Sequence, residues 1–164
     1  MDNVVDRAIY PLPQQEYEAK SKRRMGLGLT GVANAIESLG HSYGSPSFLN
    51  SLSEVMTVLR DTAYTTSVSL AVEKGPFPMY DERLLDSEFA RTLPEDIRSL
   101  IQTYGLRNSH LLSIAPTGTI SISANNVSSG IEPVFSLRYT RDVQTFDGSL
   151  AVLVDDYAHR EWGI

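Results

Sequence analysis

The most informative property of this 164-residue sequence is that it contains no cysteine. The absence excludes disulfides, zinc–thiolate sites, thiol nucleophiles and thiol redox chemistry for these residues. Positive charge is also scarce, because 14 Lys and Arg stand against 20 Asp and Glu, for a net charge of −6. Such a surface does not offset the repulsion of nucleic-acid phosphates, so we expect no nucleic-acid partner.

Long apolar runs and targeting segments are absent as well. No run approaches the roughly 18 apolar residues that a membrane span needs, and no signal peptide opens the sequence. His41, His110 and His159 are widely spaced and show no metal-ligand pattern, so we expect no metal site. With 41% hydrophobic residues, the sequence predicts one cytoplasmic domain over 1–164 that does not enter a membrane.

Helical patterns are the clearest local signals. Residues 48–74 carry an apolar stripe that includes Leu59, Ala63 and Leu70, which predicts a long helix whose stripe packs against a core. Residues 94–104 begin with proline and two acidic residues and are followed by Gly105; these residue types are common at the start and the end of a helix. Shorter helices are predicted over 30–39 and 150–162.

Strand patterns are fewer. Apolar residues predict short strands over 25–29 and 111–115, and the alternation over 136–146 predicts a third strand whose hairpin partner is missing. Helices therefore interleave with two or three strands. We expect a helix-rich α/β fold with too few strands to close a sheet.

The glycines at 26, 28 and 31 match the G-x-G-x-x-G pattern of dinucleotide-binding loops. That function requires a hydrophobic strand before Gly26 and an acidic residue after a second strand. The preceding residues 20–24 are basic and polar, and residues 40–47 are rich in glycine and serine, which predicts turns and not a second strand. We therefore prefer a short strand with closely packed glycines, and keep NAD binding as a less favoured hypothesis.

The segment after the strand at 111–115 is small and rich in hydroxyl groups. Pro116 ends the strand because it cannot donate a ladder hydrogen bond, and Thr117 to Ser121 carry no charge. One interpretation is an ordinary strand-to-helix turn with a threonine cap. The other is an anion site, since a helix start leaves backbone N–H groups free and glycine permits close approach.

Several runs together resemble the large, catalytic subunit of ribonucleotide reductases. They occur in that family's order and spacing and cover nearly the whole sequence; APTGTIS and SGIEP are the most specific. The matching runs are DNVVD at 2–6, YPLP at 10–13, RRMGLG at 23–28, EKGPFP at 73–78, GLRNS at 105–109, APTGTIS at 115–121 and SGIEP at 129–133.

The resemblance implies a C-terminal portion of a ten-stranded α/β barrel that binds a ribonucleotide substrate at its strand ends. In that family the turn at 117–121 holds the substrate phosphates, with hydroxyls from Ser and Thr and backbone N–H from the other residues. The implied phosphate-binding residues are Thr117, Gly118, Thr119, Ile120 and Ser121. The motif positions Arg107, Asn108 and Glu132 are expected to have positioning or structural roles.

The sequence departs from the family in its chemistry. The family abstracts a ribose hydrogen with a cysteine thiyl radical and reduces the sugar with a further cysteine pair, none of which is present here. We therefore expect no catalytic residue in this chain, no activity of the chain alone, and a missing N-terminal part that carries the cysteines. No cofactor is expected on the chain itself; the resemblance favours adenosylcobalamin for the complete enzyme, with a diiron partner subunit as the alternative.

A second class of function stays open. The alternative is a non-catalytic nucleotide-binding or assembly module, because part of a barrel exposes strand edges and apolar surface. That surface predicts self-association or a partner chain.

Overall fold

The computed structural model describes residues 1–163, which form a mixed helical and β structure. Two short 3-10 helices, Glu82–Asp86 and Ala90–Thr92, lie between the fourth and fifth α-helices. The α-helices are α1 (Asp2–Arg7), α2 (Pro13–Lys22), α3 (Val32–Glu37), α4 (Pro46–Lys74), α5 (Glu95–Tyr104), α6 (Gly118–Ser123) and α7 (Tyr157–Trp162); the strands are β1 (Arg138–Thr145) and β2 (Gly148–Asp155).

Residues pack into two compact units, each described here by itself. The first unit comprises Met1–Leu27 and Val55–Ser113, and the second comprises Gly28–Glu54 with residues 114–163. Helix α4 contributes residues to both units. Within residues 1–163 no helix combines the length and the apolarity needed to cross a bilayer.

The core of the first unit forms around α5. Ile97 and Ile101, four residues apart on one face of that helix, are buried with Val68, Phe77 and Leu106. The predicted helix over 94–104 is confirmed, including its end: Gly105 has a φ of 75°, and a Cβ there would lie 2.9 Å from the Cβ of Pro76. Only glycine meets both conditions without strain.

The predicted long helix is confirmed as α4, but its apolar stripe packs less completely than expected. The helix buries Val68 and Ala71. Leu59, Ala63 and Leu70, by contrast, are half-buried and line an open apolar cleft of about 330 Å³ in the first unit. The described residues therefore leave part of the stripe without a packing partner.

A buried ion pair joins distant segments of the first unit. Asp2 and Arg23 have only 6% and 4% of their surface exposed, and the Arg23 Nε donates to the Asp2 Oδ1 at 3.0 Å. The same guanidinium binds Asp6 at 2.7 Å, and the fully buried Asn108 donates to the Asp2 carboxylate at 3.2 Å. Arg107 is the last member of this network, with its Nε 3.3 Å from the Asp2 Oδ1. Each buried charge thus has a hydrogen-bonded partner, as charges removed from water require.

The predicted strands 25–29 and 111–115 meet, but over a shorter length than expected. They form a single parallel bridge, Leu27 to Leu112, in which the Leu27 N–H donates to the Leu111 carbonyl at 2.8 Å. The Ser113 N–H donates to the Leu27 carbonyl at 3.0 Å. Parallel strands are usually stabilised by neighbours and by covered faces. No other strand among residues 1–163 pairs with this bridge, so regular pairing stops there.

The expectation of a helix over 150–162 was wrong for its first half. Residues 148–155 form β2, which pairs antiparallel with β1 from Arg138–Asp155 to Thr145–Gly148, so the hairpin partner of β1 is present. A two-residue loop joins the strands, and Gly148 takes a φ of 126° after it. The Leu-Ala-Val-Leu-Val run at 150–154 favours a strand once a tight turn precedes it. Only Tyr157–Trp162 is helical.

The dinucleotide-binding hypothesis was also wrong. Helix α2, not a strand, precedes Gly26, and Arg23 follows that helix in the left-handed conformation with a φ of 49°. The predicted helix over 30–39 is shorter than expected, as α3, and begins after Gly31 at a φ of 74°. Gly31 therefore precedes a helix in a left-handed conformation, and Gly26 is closely packed, since a Cβ there would lie 3.0 Å from the Ser113 Cβ.

We predict that Asp2→Asn lowers the free energy of unfolding by about 2 to 3 kcal/mol at neutral pH, because it removes a partner of a buried guanidinium. Burial opposes ionisation of Asp2, but the hydrogen bonds and charges of Arg23, Asn108 and Arg107 hold its pKa below the ordinary value. A lowered native pKa contributes stability above the unfolded pKa of about 4 and loses it below. The difference between wild type and variant should therefore shrink as pH falls below about 4.

Urea unfolding followed by circular dichroism between pH 3 and 7 measures this difference. Arg83→Gln is the matched control, since its ion pair with Asp81 is exposed and should contribute nothing measurable. A pH-independent difference between wild type and Asp2→Asn would contradict the assignment.

Candidate functional site

The turn at 115–121 leads directly into a helix. Thr117 is the residue before α6 and adopts the left-handed conformation, with φ 46° and ψ 21°, and Gly118 is the first helical residue. A β-branched residue at positive φ is uncommon, and such conformations concentrate at functional positions.

Three successive backbone donors of this turn have no internal acceptor. Residues 1–163 provide no hydrogen-bond acceptor for the N–H groups of Gly118, Thr119 and Ile120, whereas the Ser121 N–H donates to the Thr117 carbonyl at 2.8 Å. Their position in the first turn of α6 explains this, because no preceding helical carbonyl reaches them.

The hydroxyl groups of the turn differ from one another. Ser121 is buried, and its hydroxyl donates to the Gly118 carbonyl at 3.0 Å, so its proton is committed within the turn. The Thr117 Oγ1 is buried and has no hydrogen-bond partner among the described residues. Thr119 is exposed. Of the five predicted residues, Thr119 therefore offers an exposed hydroxyl group, whereas the Thr117 hydroxyl is shielded from solvent. Gly118, Thr119 and Ile120 offer backbone N–H groups, and the Ser121 oxygen can only accept.

An open cleft of about 390 Å³ in the second unit is lined by three of these residues, Gly118, Thr119 and Ser121. Its volume falls within the range of small-ligand sites. The remaining lining comes from the loop after α6, the segment before β1, β1 itself and the start of α7; it comprises Asn126, Val127, Ser128, Ser129, Val134, Phe135, Ser136, Tyr139, Arg141 and Asp156.

A buried polar cluster supports one side of the cleft, and the sequence analysis did not identify it. The Asn34 Nδ2 donates to the Asp156 Oδ1 at 3.3 Å, and the Asn34 N–H donates to the Ser128 hydroxyl at 3.2 Å. Asp156 also caps α7 by accepting from the Ala158 N–H at 2.9 Å. Burial raises the pKa of the nearby Glu37 carboxyl, and the Asp156 charge raises it further. An aspartate directly before a helix is a sequence signal for a helix N-cap, so Asp156 is recognisable in that role from the sequence.

Comparison with known proteins identifies the family. The model of the family described as "Ribonucleotide reductase, barrel domain" matches residues 1–160. The chain belongs to this ribonucleotide reductase family.

The relatives include vitamin B12-dependent enzymes. The chain is 36% identical over 143 residues to a vitamin B12-dependent ribonucleoside-diphosphate reductase of Mycobacterium tuberculosis, covering 87% of this chain and 18% of that protein. A protein of the same name from Thermoplasma acidophilum is also 36% identical over 143 residues, covering 87% and 17%. The ribonucleoside-diphosphate reductase large subunit of Monkeypox virus is 30% identical over 155 residues, covering 87% and 20%.

These matches confirm the resemblance to a C-terminal part of the reductase large subunit and to its B12-dependent class. The chain spans about a fifth of the length of these relatives.

Four of the reductase-like runs meet in the buried network of the first unit. Asp2, Arg23 and Asn108 come from three of them, and the carbonyls of Lys74 and Gly75 in the fourth accept from Arg107, each at 3.1 Å. Arg107 and Asn108 therefore hold their segment through contacts within the protein.

The SGIEP run of the reductase family packs against the turn. Gly130 is buried, and a Cβ added there would lie 2.5 Å from the Ala115 carbonyl oxygen and 3.1 Å from the Glu132 Oε2. Real side chains do not approach a backbone oxygen so closely. Gly130 therefore lets its loop approach the start of the APTGTIS run.

The described residues contain no cluster of metal-ligating side chains. In residues 1–163, no three His, Asp or Glu side chains gather as ligands. His110 instead lies 3.0 Å from the Ser109 hydroxyl through its Nδ1.

We predict that Gly130→Ala destabilises the protein by about 1 to 3 kcal/mol, because the added methyl group must displace backbone atoms. Gly118→Ala is the matched control, since a Cβ at position 118 meets no atom within 4 Å. Urea unfolding of both variants measures the effect. Equal stability of Gly130→Ala and wild type would show that the Ala115 carbonyl does not constrain this position.

Proposed function

We propose that this chain supplies the substrate phosphate site of a ribonucleotide reductase. The observation that carries the proposal is the set of three unpaired N–H groups, at Gly118, Thr119 and Ile120, in a turn that lines a cleft. Consecutive backbone donors at a helix start suit the oxygens of a phosphate group, and no charged side chain is needed among them.

Each residue of the turn has a distinct role in the proposed site. The three N–H groups donate to phosphate oxygens, and Gly118 permits close approach because it has no side chain. The exposed Thr119 hydroxyl is a further donor, whereas the Thr117 hydroxyl is buried and Thr117 does not line the cleft. Ser121 acts indirectly, since its hydroxyl donates to the Gly118 carbonyl and holds the first helical turn in place. The ligand is a ribonucleoside di- or triphosphate.

For the architecture, we propose that the Leu27–Leu112 bridge marks two adjacent parallel strands of a ten-stranded α/β barrel of which this chain forms a C-terminal part. The family match and the parallel direction of the bridge support this arrangement. The phosphate turn follows the second of these strands along the chain, where ligand sites of parallel sheets occur.

We further propose that the chain does not reduce a ribonucleotide by itself. Reduction in this family uses cysteine thiols, and these 164 residues contain none. In the proposal, the remaining length of the reductase supplies the thiols, and residues 117–121 orient the substrate by its phosphates. Orientation alone accounts for a large part of many enzymatic rate enhancements.

Adenosylcobalamin is our proposal for the radical cofactor of the complete enzyme, supported by the names of the B12-dependent relatives. The two clefts described here do not fit a corrinoid. Their volumes of about 390 and 330 Å³ are in the range of smaller ligands, and neither is lined by a histidine.

We predict that Gly118→Val weakens binding of cytidine diphosphate by at least about tenfold, because the side chain blocks approach to the free N–H groups. The fold should be unaffected, since position 118 faces open space. Isothermal titration of the 164-residue chain measures the affinity. Ser123→Val introduces the same side chain at an exposed position of α6 that does not line the cleft, and should bind as wild type does. Equal affinity of wild type and Gly118→Val would refute the site.

A second candidate function, assembly, is favoured by the apolar cleft of the first unit. Its lining includes Met25, Leu27, Leu59, Leu70 and Leu111. Apolar surface of this kind is normally covered by another part of a protein or by a partner. We propose that the remaining length of the reductase, or a second copy of this chain, covers it.

We predict that the isolated chain associates, with a mass by light scattering at or above twice its 18.1 kDa. Leu59→Glu should reduce the mass toward the monomer, because a charge in an apolar contact is costly to bury. Val58→Glu is the control, since Val58 lies on the same helix, is 66% exposed and does not line the cleft. A monomer at all concentrations that binds no apolar dye would count against assembly.

A further inference from the structure

We propose that Arg141 of β1 is a phosphate-recognition residue that supplies the positive charge missing from the turn. The inference rests on the proposed function, since it concerns the same cleft and the same nucleoside diphosphate or triphosphate. Arg141 lines the cleft together with Gly118, Thr119 and Ser121. It is the one Lys or Arg among the lining residues.

The register of the hairpin explains why Arg141 faces the cleft. Residues two apart on a strand share a face, so Arg141 lies on the same face as Tyr139, which also lines the cleft. Across the hairpin, Arg141 is opposite Val152, and Tyr139 is opposite Val154. Arg141 is therefore placed among apolar and aromatic neighbours on this face of the hairpin.

A second arginine on the same strand provides a contrast. Arg138 lies on the opposite face of the hairpin and forms an ion pair with Asp155, its cross-strand neighbour. Arg141 is exposed and has no hydrogen-bond or ion-pair partner among residues 1–163. One arginine of β1 thus has a structural partner, while the guanidinium of the other is available to a ligand.

The carboxylate in the cleft does not neutralise Arg141. Asp156 lines the cleft but is only 2% exposed, and its Oδ1 accepts from Asn34, the Ala158 N–H and the His159 N–H. The Asp156 carboxylate is therefore already paired with the N–H donors of these three residues. A guanidinium, with five N–H donors in a planar fork, matches the oxygens of a phosphate group in two-point contact.

The two parts of the cleft then act on different properties of the ligand. The turn recognises the shape of a phosphate group through neutral donors. Arg141 recognises its charge, so its contribution increases with the charge of the phosphate chain and decreases with salt. Arg141 therefore favours a nucleoside polyphosphate over an uncharged nucleoside.

The test compares Arg141→Gln, Arg141→Lys and Arg138→Gln with wild type, using isothermal titration of the 164-residue chain with cytidine diphosphate at two KCl concentrations. We expect Arg141→Gln to weaken binding about tenfold and to flatten its salt dependence. The affinity of Arg141→Lys should lie between those of wild type and Arg141→Gln, because lysine keeps the charge but lacks the planar set of guanidinium donors. Arg138→Gln should remain within about twofold of wild type. Circular dichroism checks that each variant is folded.

Each other outcome overturns the inference. If Gly118→Val weakens binding while Arg141→Gln binds as wild type does, the inference is wrong and the proposed function stands. If Arg138→Gln loses as much affinity as Arg141→Gln, the effect is one of general charge and the inference is again wrong. If neither Gly118→Val nor Arg141→Gln changes binding, or wild type does not bind cytidine diphosphate, both proposals are wrong.

Discussion

The ion pair between Asp2 and Arg23 is the interaction on which the first unit depends. Removing two charges from water is costly, and the cost is offset only when every donor and acceptor is matched. Asn108 and Arg107 complete that matching, and through them the network joins the start of the chain, the end of α2 and the segment before Leu112. The parallel bridge follows from this, because both of its segments leave the network a few residues earlier.

The second unit positions its turn by close backbone approach and neutral hydrogen bonds. Gly130 packs against the carbonyl of Ala115 at one end of the turn, and Ser121 holds the Gly118 carbonyl at the other. Between these two contacts, the N–H groups of Gly118, Thr119 and Ile120 have no acceptor among residues 1–163. This arrangement fixes the backbone on both sides and leaves these N–H groups unpaired. In our proposal, a phosphate site requires this combination.

How far the sequence predicts the structure depends on the range of the interactions. The sequence predicts helix α5 because proline, acidic residues and glycine mark its ends locally, and residues 117–121 are proposed as the phosphate site from their types and family motif. Strand β2 was assigned to a helix because its apolar run has no alternation, and pairing with β1 decides its form. The opposite side of the cleft, with Ser128 and Arg141, depends on contacts between distant residues that no local pattern shows.

The left-handed backbone of Thr117 has a consequence for the energetics of any ligand. A glycine would adopt a φ of 46° without steric cost, whereas a β-branched residue does so only when its surroundings impose the conformation. Folding therefore meets that cost before a ligand arrives. At the proposed site, a phosphate ligand would then encounter a preorganised turn, and little entropy of ordering would be subtracted from the affinity of its contacts.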